Sequence, residues 1–234
     1  MGVEAKIHIE SQPMLRVGYP VTIDPALLSV FPSDVELIPV HGKMEVPADI
    51  DIWIPDPYPT RAMRAWPHLR GVRVVLSLMA GTEWIPATVG PHVTICNARG
   101  AHNISTAEWT LSAILAMLKH FPFFLEMQRE GNWRKRTEAS AEYARISGDV
   151  RPLYPPVMIE DLAGKTVLLV GYGSIGKDIE RMLSPFQVDI IRVARTMRID
   201  PQVHTAAALD SLLPEADIVI LILPATAESH HLIG

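Results

Sequence analysis

The stretch Lys165–Lys177, KTVLLVGYGSIGK, constrains what this chain can fold into more than any other. An apolar, β-prone run ends in three glycines, Gly171, Gly173 and Gly176, and a helical pattern, SIGKDIERML, opens at Ser174, just after the second of them, and stops at Pro185. A second strand-like run, VDIIRVA (Val188–Ala194), follows within about thirty residues of the first, the length of a βαβ unit. In that setting G-x-G-x-x-G reads as a dinucleotide-binding turn rather than a turn kept for packing alone. Gly171 permits the tight turn. Gly173, with no side chain, lets the backbone approach a pyrophosphate. Gly176 lets the helix pack on the strand. Tyr172, Ser174 and Ile175 complete the turn, and the helix offers free N–H groups and its positive dipole end to the phosphates.

The tip of the second strand sets the nucleotide preference. A site for NAD places Asp or Glu there, to accept hydrogen bonds from the ribose 2′-hydroxyl. Here the strand ends in Ala194, Arg195 and Thr196, with no carboxylate. Arg195 can pair with a 2′-phosphate through charge-assisted hydrogen bonds and Thr196 can donate another, so NADP(H) is expected over NAD(H). Arg198 is a second, weaker candidate for the same phosphate.

The 234 residues suit two domains of ordinary size, and 48% hydrophobic with 20% charged residues is a globular composition. A net charge of −5 argues against a nucleic-acid partner, and the one basic cluster, Trp133–Arg136, reads as a solvated face. Cys96 is the only cysteine; in the apolar run VTICNA it is expected to be a small buried hydrophobe, and the absence of an internal disulfide fits a reducing cytoplasm. The first ten residues mix charges into any apolar run, unlike a secretory signal. The longest apolar stretch, Leu111–Leu118, is too short to span a bilayer, so no membrane partner is expected. No metal site is expected.

Before the glycine turn the chain alternates strands and helices, which argues for a parallel sheet covered by helices. Strands are expected at Met14–Tyr19, Val35–Val40, Asp49–Pro55, Gly71–Gly81 and Val93–Gly100, with a short helix over Thr60–Leu69. Ser105 and Glu108 form a capping-box pattern ahead of an apolar stripe, Ala107, Leu111, Ile114, Leu115 and Leu118, and Pro122 is expected to end or bend that helix. Residues 129–160, rich in Arg and then Pro, read as an exposed arm. Further on, Leu209–Ala216 reads as a short helix and Asp217–Pro224 as a buried strand closed by proline. The boundaries expected are 1–98 for a first domain and 99–234 for a second, with an interdomain helix over 105–121.

Several of these segments resemble one family, the D-isomer-specific 2-hydroxyacid dehydrogenases. VTICNARGAHNISTAEWTLSAILAMLKH resembles the family's N-x-x-G…AE strand, turn and interdomain helix. LAGKTVLLVGYGSIGKDIERMLSPF resembles its nucleotide-binding turn, and LDSLLPEADIVILILPATAESHHLIG its later strand and loop. LSLMAGTEWI resembles the loop that presents backbone amides to the substrate carboxylate. The tip ART resembles the glyoxylate and hydroxypyruvate reductase branch that prefers NADPH. Gln187 departs from the pattern, standing where the family has Gly, which should alter only a turn.

The resemblance implies an α/β fold: a flavodoxin-like substrate domain, and a Rossmann dinucleotide-binding domain lacking its later strands, with the active site in the cleft between them. It places Ala80, Gly81 and Thr82 on the substrate-carboxylate loop, Thr110 facing the nicotinamide, and Pro224 and Thr226 beside the cofactor. It implies hydride transfer between NAD(P)H and a 2-keto or D-2-hydroxy acid such as glyoxylate or hydroxypyruvate, and a cytoplasmic homodimer whose arm reaches over the partner. The family's catalytic Arg, Glu and His are expected after Gly234. No histidine here matches that His by motif: His230 and His231 fall on ordinary polar surface in the pattern, and Arg99 belongs to the earlier N-x-x-G turn. His92 and His102 are near Cys96 in sequence, but nothing in the sequence shows that they converge on it as a catalytic thiol would need. The strand Asp217–Leu223 is expected to keep one open edge, a liability unless covered. The alternatives are a non-catalytic dinucleotide-binding or dimerisation module, and a different Rossmann oxidoreductase.

Overall fold

Parallel pairing organises the strands of the computed structural model, which describes residues 14–133 and 160–233. The chain divides into two compact units, Met1–Arg99 and Gly100–Gly234. The parallel-sheet α/β class read from the sequence is the one observed.

In the first unit, β1 (Leu15–Pro20), β2 (Val35–Val40), β4 (Ile52–Trp53), β6 (Val74–Leu76) and β7 (Thr94–Cys96) form one sheet in the order β2-β1-β4-β6-β7. Two short strands, β3 (Ala48–Asp49) and β5 (Leu69–Arg70), pair separately. Helices α1 (Pro59–Ala65) and α2 (Ile85–Val89) lie between strands in the sequence. Ile50, Trp53, Val75 and Ile85 are the fully enclosed centre of this core, with Trp66 stacked on Trp53 at 5.4 Å between ring centroids. At about 1.5–3 kcal/mol for each fully buried large apolar side chain, these residues dominate the unit's stability.

Three expectations are corrected here. Asp49–Pro55 is not one strand but two pieces in different sheets. Asp51 between them takes Arg16, accepting from its backbone N at 3.0 Å and its Nε at 3.2 Å, which turns the chain out of one register and into another. The helix expected to Leu69 ends as α at Ala65, with a 3-10 turn over Trp66–His68 before β5. Cys96 is exposed rather than buried, because it ends β7 at the margin of the sheet, where none of the described strands pairs beyond it.

In the second unit, β8 (Thr166–Val170) lies between β9 (Asp189–Val193) and β10 (Ile218–Leu221), all parallel. Val167 and Leu169 face a core that includes α3 (Asn103–Leu118) and α5 (Ser174–Leu183). Leu168 and Val170 face the opposite core, with α6 (Leu209–Leu212). A strand covered on both faces reads as the unbroken apolar run TVLLV. Asn103 Nδ2 donates to Asp178 Oδ2 at 2.8 Å and ties α3 to α5. β10 pairs only with β8 among the described strands, leaving Val219 and Leu221 exposed.

The helix of the apolar stripe begins two residues before Ser105, at Asn103, so the capping box does not form. The Ser105 hydroxyl instead donates back to the His102 carbonyl at 3.2 Å. The helix stops at Leu118, and α4 (Phe121–Glu130) restarts at a 65° bend with Pro122 in its first turn. Of the arm expected over 129–160, residues 134–159 lie outside the described residues. Among the described residues no single helix is long and apolar enough to cross a membrane.

Candidate functional site

The strand order of the second unit fixes where a ligand can sit. After β8 the chain moves to β9 on one side and later to β10 on the other, and His204 extends the β9 side through a parallel bridge to Val193. Ligands of open parallel sheets bind outside the carboxyl ends of the strands at such a reversal. A cleft of about 390 Å3 opens there. Its wall takes Gly171, Tyr172 and Gly173 from the turn, Arg195 and Thr196 from the tip of β9, and Pro224 and Thr226 from the loop after β10. Seven predicted residues from three separate stretches are thereby brought together.

The glycines differ in what demands them. Gly171 has φ +113°, and a Cβ there would stand 2.7 Å from the Ile222 carbonyl carbon and closer still to its oxygen. Gly176 is buried, and its Cβ would lie 2.9 Å from the Gly171 carbonyl oxygen, so it is needed for close packing of helix on turn. Gly173 is needed by neither: the nearest atom to an added Cβ is the Gly171 oxygen, at 4.0 Å. A glycine that the protein's own packing does not require, opening into a cleft, fits close approach by a ligand. It is also the N-cap of α5 and has no side chain, so nothing caps the first-turn N–H groups of Ser174 and Ile175. These groups suit a pyrophosphate.

Beneath the turn is a charged stack. Arg192 donates from Nε to Glu180 Oε2 at 2.8 Å and from Nη2 to Glu180 Oε1. The guanidiniums of Arg192 and Arg198 each lie 5.6 Å from the centre of the Tyr172 ring. Burial pushes the Tyr172 phenol up, and a hydrogen bond with Glu180 adds to this. The hydrogen bond from Arg192 holds the Glu180 carboxyl below the usual carboxylate range. Arg198 also donates to the Tyr172 carbonyl at 3.3 Å, which anchors it in the cleft wall. Arg195 and Thr196 stay exposed at the mouth.

Sequence reasoning missed part of the wall. Glu228 and Ser229 line it from the loop after β10. Ser229 Oγ accepts from Thr226 N at 2.9 Å and donates to the Pro224 carbonyl at 2.7 Å, which folds the loop back over the strand ends. A hydrogen bond with Thr226 lowers the Glu228 pKa, and Arg195 acts in the same direction. The Thr-x-x-Ser spacing was the available signal, since a hydroxyl three residues on can cap its own turn.

The other predicted residues lie elsewhere. Thr110 sits midway along α3, half-buried, its hydroxyl donating to the Thr106 carbonyl at 2.8 Å, and does not line the cleft. Ala80, Gly81 and Thr82 belong to the first unit, in the loop after β6. The Ala80 carbonyl accepts from Asn97 Nδ2 at 3.0 Å and the Thr82 carbonyl from Ile85 N at 3.0 Å. Arg99 and His92 are exposed in the first unit. The rings of His230 and His231 meet edge to face at 4.1 Å, outside the cleft lining.

The family model described as "D-isomer specific 2-hydroxyacid dehydrogenase, NAD binding domain" matches residues 111–234. A glyoxylate reductase of Thermococcus onnurineus is 30% identical over 147 residues, 61% of this chain and 40% of its own. A glyoxylate reductase of Aeropyrum pernix is 26% identical over 230 residues, 88% of this chain and 64% of its own. The chain thus spans less than two thirds of these curated relatives. Among solved structures, the NADPH-dependent glyoxylate/hydroxypyruvate reductase of Sinorhizobium meliloti in complex with NADP and malonate is similar with a TM-score of 0.69 at 20% identity, over 94% of this chain and 66% of that one. An NAD-dependent formate dehydrogenase of Staphylococcus aureus in complex with NAD gives 0.62 at 16%, over 92% and 67%. At these identities the likeness is one of fold.

Proposed function

The chain belongs to the D-isomer-specific 2-hydroxyacid dehydrogenases, and on that premise we propose that it binds NADP(H) in preference to NAD(H) and serves hydride transfer between that cofactor and a small 2-keto or D-2-hydroxy acid, glyoxylate or hydroxypyruvate being the first candidates. The observation that carries the reading is the cleft that joins Gly171–Gly173, Arg195–Thr196, Pro224 and Thr226.

The turn and the open N-terminus of α5, through Ser174, Ile175 and the close-packed Gly176, hold the pyrophosphate. Arg195 and Thr196 take the 2′-phosphate, an arrangement in which a guanidinium fork outbids a lone hydroxyl donor. Pro224 and Thr226 line the path of the nicotinamide half. When bound, the nicotinamide supplies or accepts the hydride. Ala80, Gly81 and Thr82 present backbone amides to the substrate carboxylate, and the family's Arg, Glu and His, which polarise the keto oxygen and move the proton, are proposed to follow Gly234. A homodimer and a cytoplasmic location belong to the same reading.

Fluorescence titration with NADPH and NADH tests the cofactor half. Tighter NADH binding overturns the preference, and no binding of either overturns the site. Turnover of glyoxylate and hydroxypyruvate with NADPH tests the chemistry. NADPH binding with no turnover of any 2-keto acid would instead support the second reading, a dinucleotide-binding module.

A further inference from the structure

The first unit has a strand reversal of its own. Its order β2-β1-β4-β6-β7 places β2 on one side of β1 and all later strands of that sheet on the other. Outside the carboxyl ends of these strands lies a cleft of about 480 Å3, walled by the segments that leave β1, β2 and β4 and by one face of α1. The general rule for open parallel sheets puts a ligand there.

The cleft is built rather than incidental. Asp56, 8% exposed, accepts from Thr22 Oγ1 at 3.0 Å and from Tyr58 N at 2.9 Å, and lies 3.9 Å from Arg61 Nη1. Arg61 also lies over the Tyr58 ring at 4.8 Å, so its guanidinium is held from two sides. Gly42 lets the loop after β2 settle on α1: a Cβ there would stand 2.6 Å from Arg64 Cβ. That close approach brings Lys43 and His41 to the wall that Arg61 and Arg64 share. Three cations, Lys43, Arg61 and Arg64, against one carboxylate, Asp56, leave a formal charge of +2 in this cleft, in a chain whose net charge is −5.

We infer that this cleft binds the phosphate group of a small phosphate monoester, separately from the nucleotide cleft of the second unit. Arg61 and Arg64, three residues apart, present neighbouring guanidiniums on one face of α1, and Lys43 completes the ring of donors. A single tetrahedral group carrying about −1.5 to −2 charge at pH 7 matches that concentrated positive field. A dicarboxylate spreads the same charge over two centres. The apolar floor, Trp53, Ala62 and Ala65, takes the ester's carbon skeleton.

The test is calorimetric titration of the full chain, in phosphate-free buffer, with inorganic phosphate, glycerol phosphate and malonate. The expected result is one saturable site for glycerol phosphate, weakened at least tenfold in Arg64→Ala and in Lys43→Ala, with NADPH titration unmoved in both. Both side chains are exposed; should Arg64→Ala fail to fold, Lys43→Ala decides. No saturable binding, affinity unchanged in the variants, tighter binding of malonate, or loss of phosphate binding in Arg195→Ala instead would each overturn the assignment.

Discussion

Gly171 lies directly against the Ile222 carbonyl, so the glycine turn and the end of β10 occupy each other's only available space. Gly173, two residues on, faces open space. The two glycines therefore separate folding from binding. Gly171→Ala is expected to cost about 2–4 kcal/mol, from backbone strain at positive φ together with overpacking, and to lose dinucleotide binding with it. Gly173→Ala should stay within about 0.5 kcal/mol of the parent yet bind NADPH at least tenfold more weakly. Thermal melts and NADPH titrations on the two variants check this; a Gly173→Ala protein of unchanged affinity would sink the cofactor role.

Arg195 is exposed at the mouth of the cleft, beside Glu228. If it holds the 2′-phosphate, Arg195→Ala removes a charge-assisted contact worth about 1.5–3 kcal/mol, which is about 10- to 100-fold in NADPH affinity. NADH, which has no such phosphate, should move less than about threefold on the same grounds. Parallel titrations with the two cofactors give the ratio, and equal losses for both would mean that Arg195 supports the site without reading the phosphate.

The Glu180–Arg192 pair gives a pH dependence with a definite sign. The hydrogen bond from Arg192 depresses the folded-state pKa of Glu180. Its contribution to stability is therefore complete above the ordinary glutamate pKa of about 4.3 and lost as pH falls through the depressed value. Glu180→Gln should cost about 1–2 kcal/mol at neutral pH, with Arg192 and the Tyr172 ring above it loosened together. Urea denaturation of parent and variant at pH 7 and again near pH 3.5 is the check: the gap must narrow in acid.

The second unit was legible because its signals are local and severe. A strand buried on both faces must be apolar throughout, as Val167–Val170 are, and a turn at φ +113° against a carbonyl tolerates only glycine. The strands and helices of the first unit were legible in kind but not always in extent. Asp49–Pro55 alternates as one strand does, and only the long-range partner Arg16 reveals the break at Asp51. Ser105 carries a cap signal that the His102 carbonyl answers from the wrong side. Cys96 looked apolar by its neighbours, and the sheet order that exposes it is not written in its own segment. Glu228 and the charged cleft beside Asp56 depend on loops folding back over strand ends, which no periodicity records.

Gln187, where the resemblance leads one to expect Gly, carries a measurable cost. It links the 3-10 turn after α5 to β9 and sits at φ 55°, ψ 46°, the left-handed region that glycine enters without penalty. A side chain there costs about 1–2 kcal/mol, of which glycine's extra freedom in the unfolded chain returns about 0.5–1. Its carbonyl accepts from Gly164 N at 2.9 Å, a backbone bond that substitution keeps. Gln187→Gly should therefore stabilise the protein by about 0.5–1 kcal/mol and leave cofactor affinity alone, because Gln187 is outside the cleft lining. Chemical denaturation reads the first and NADPH titration the second. A destabilised variant would mean that the Gln187 side chain contributes more than its backbone costs.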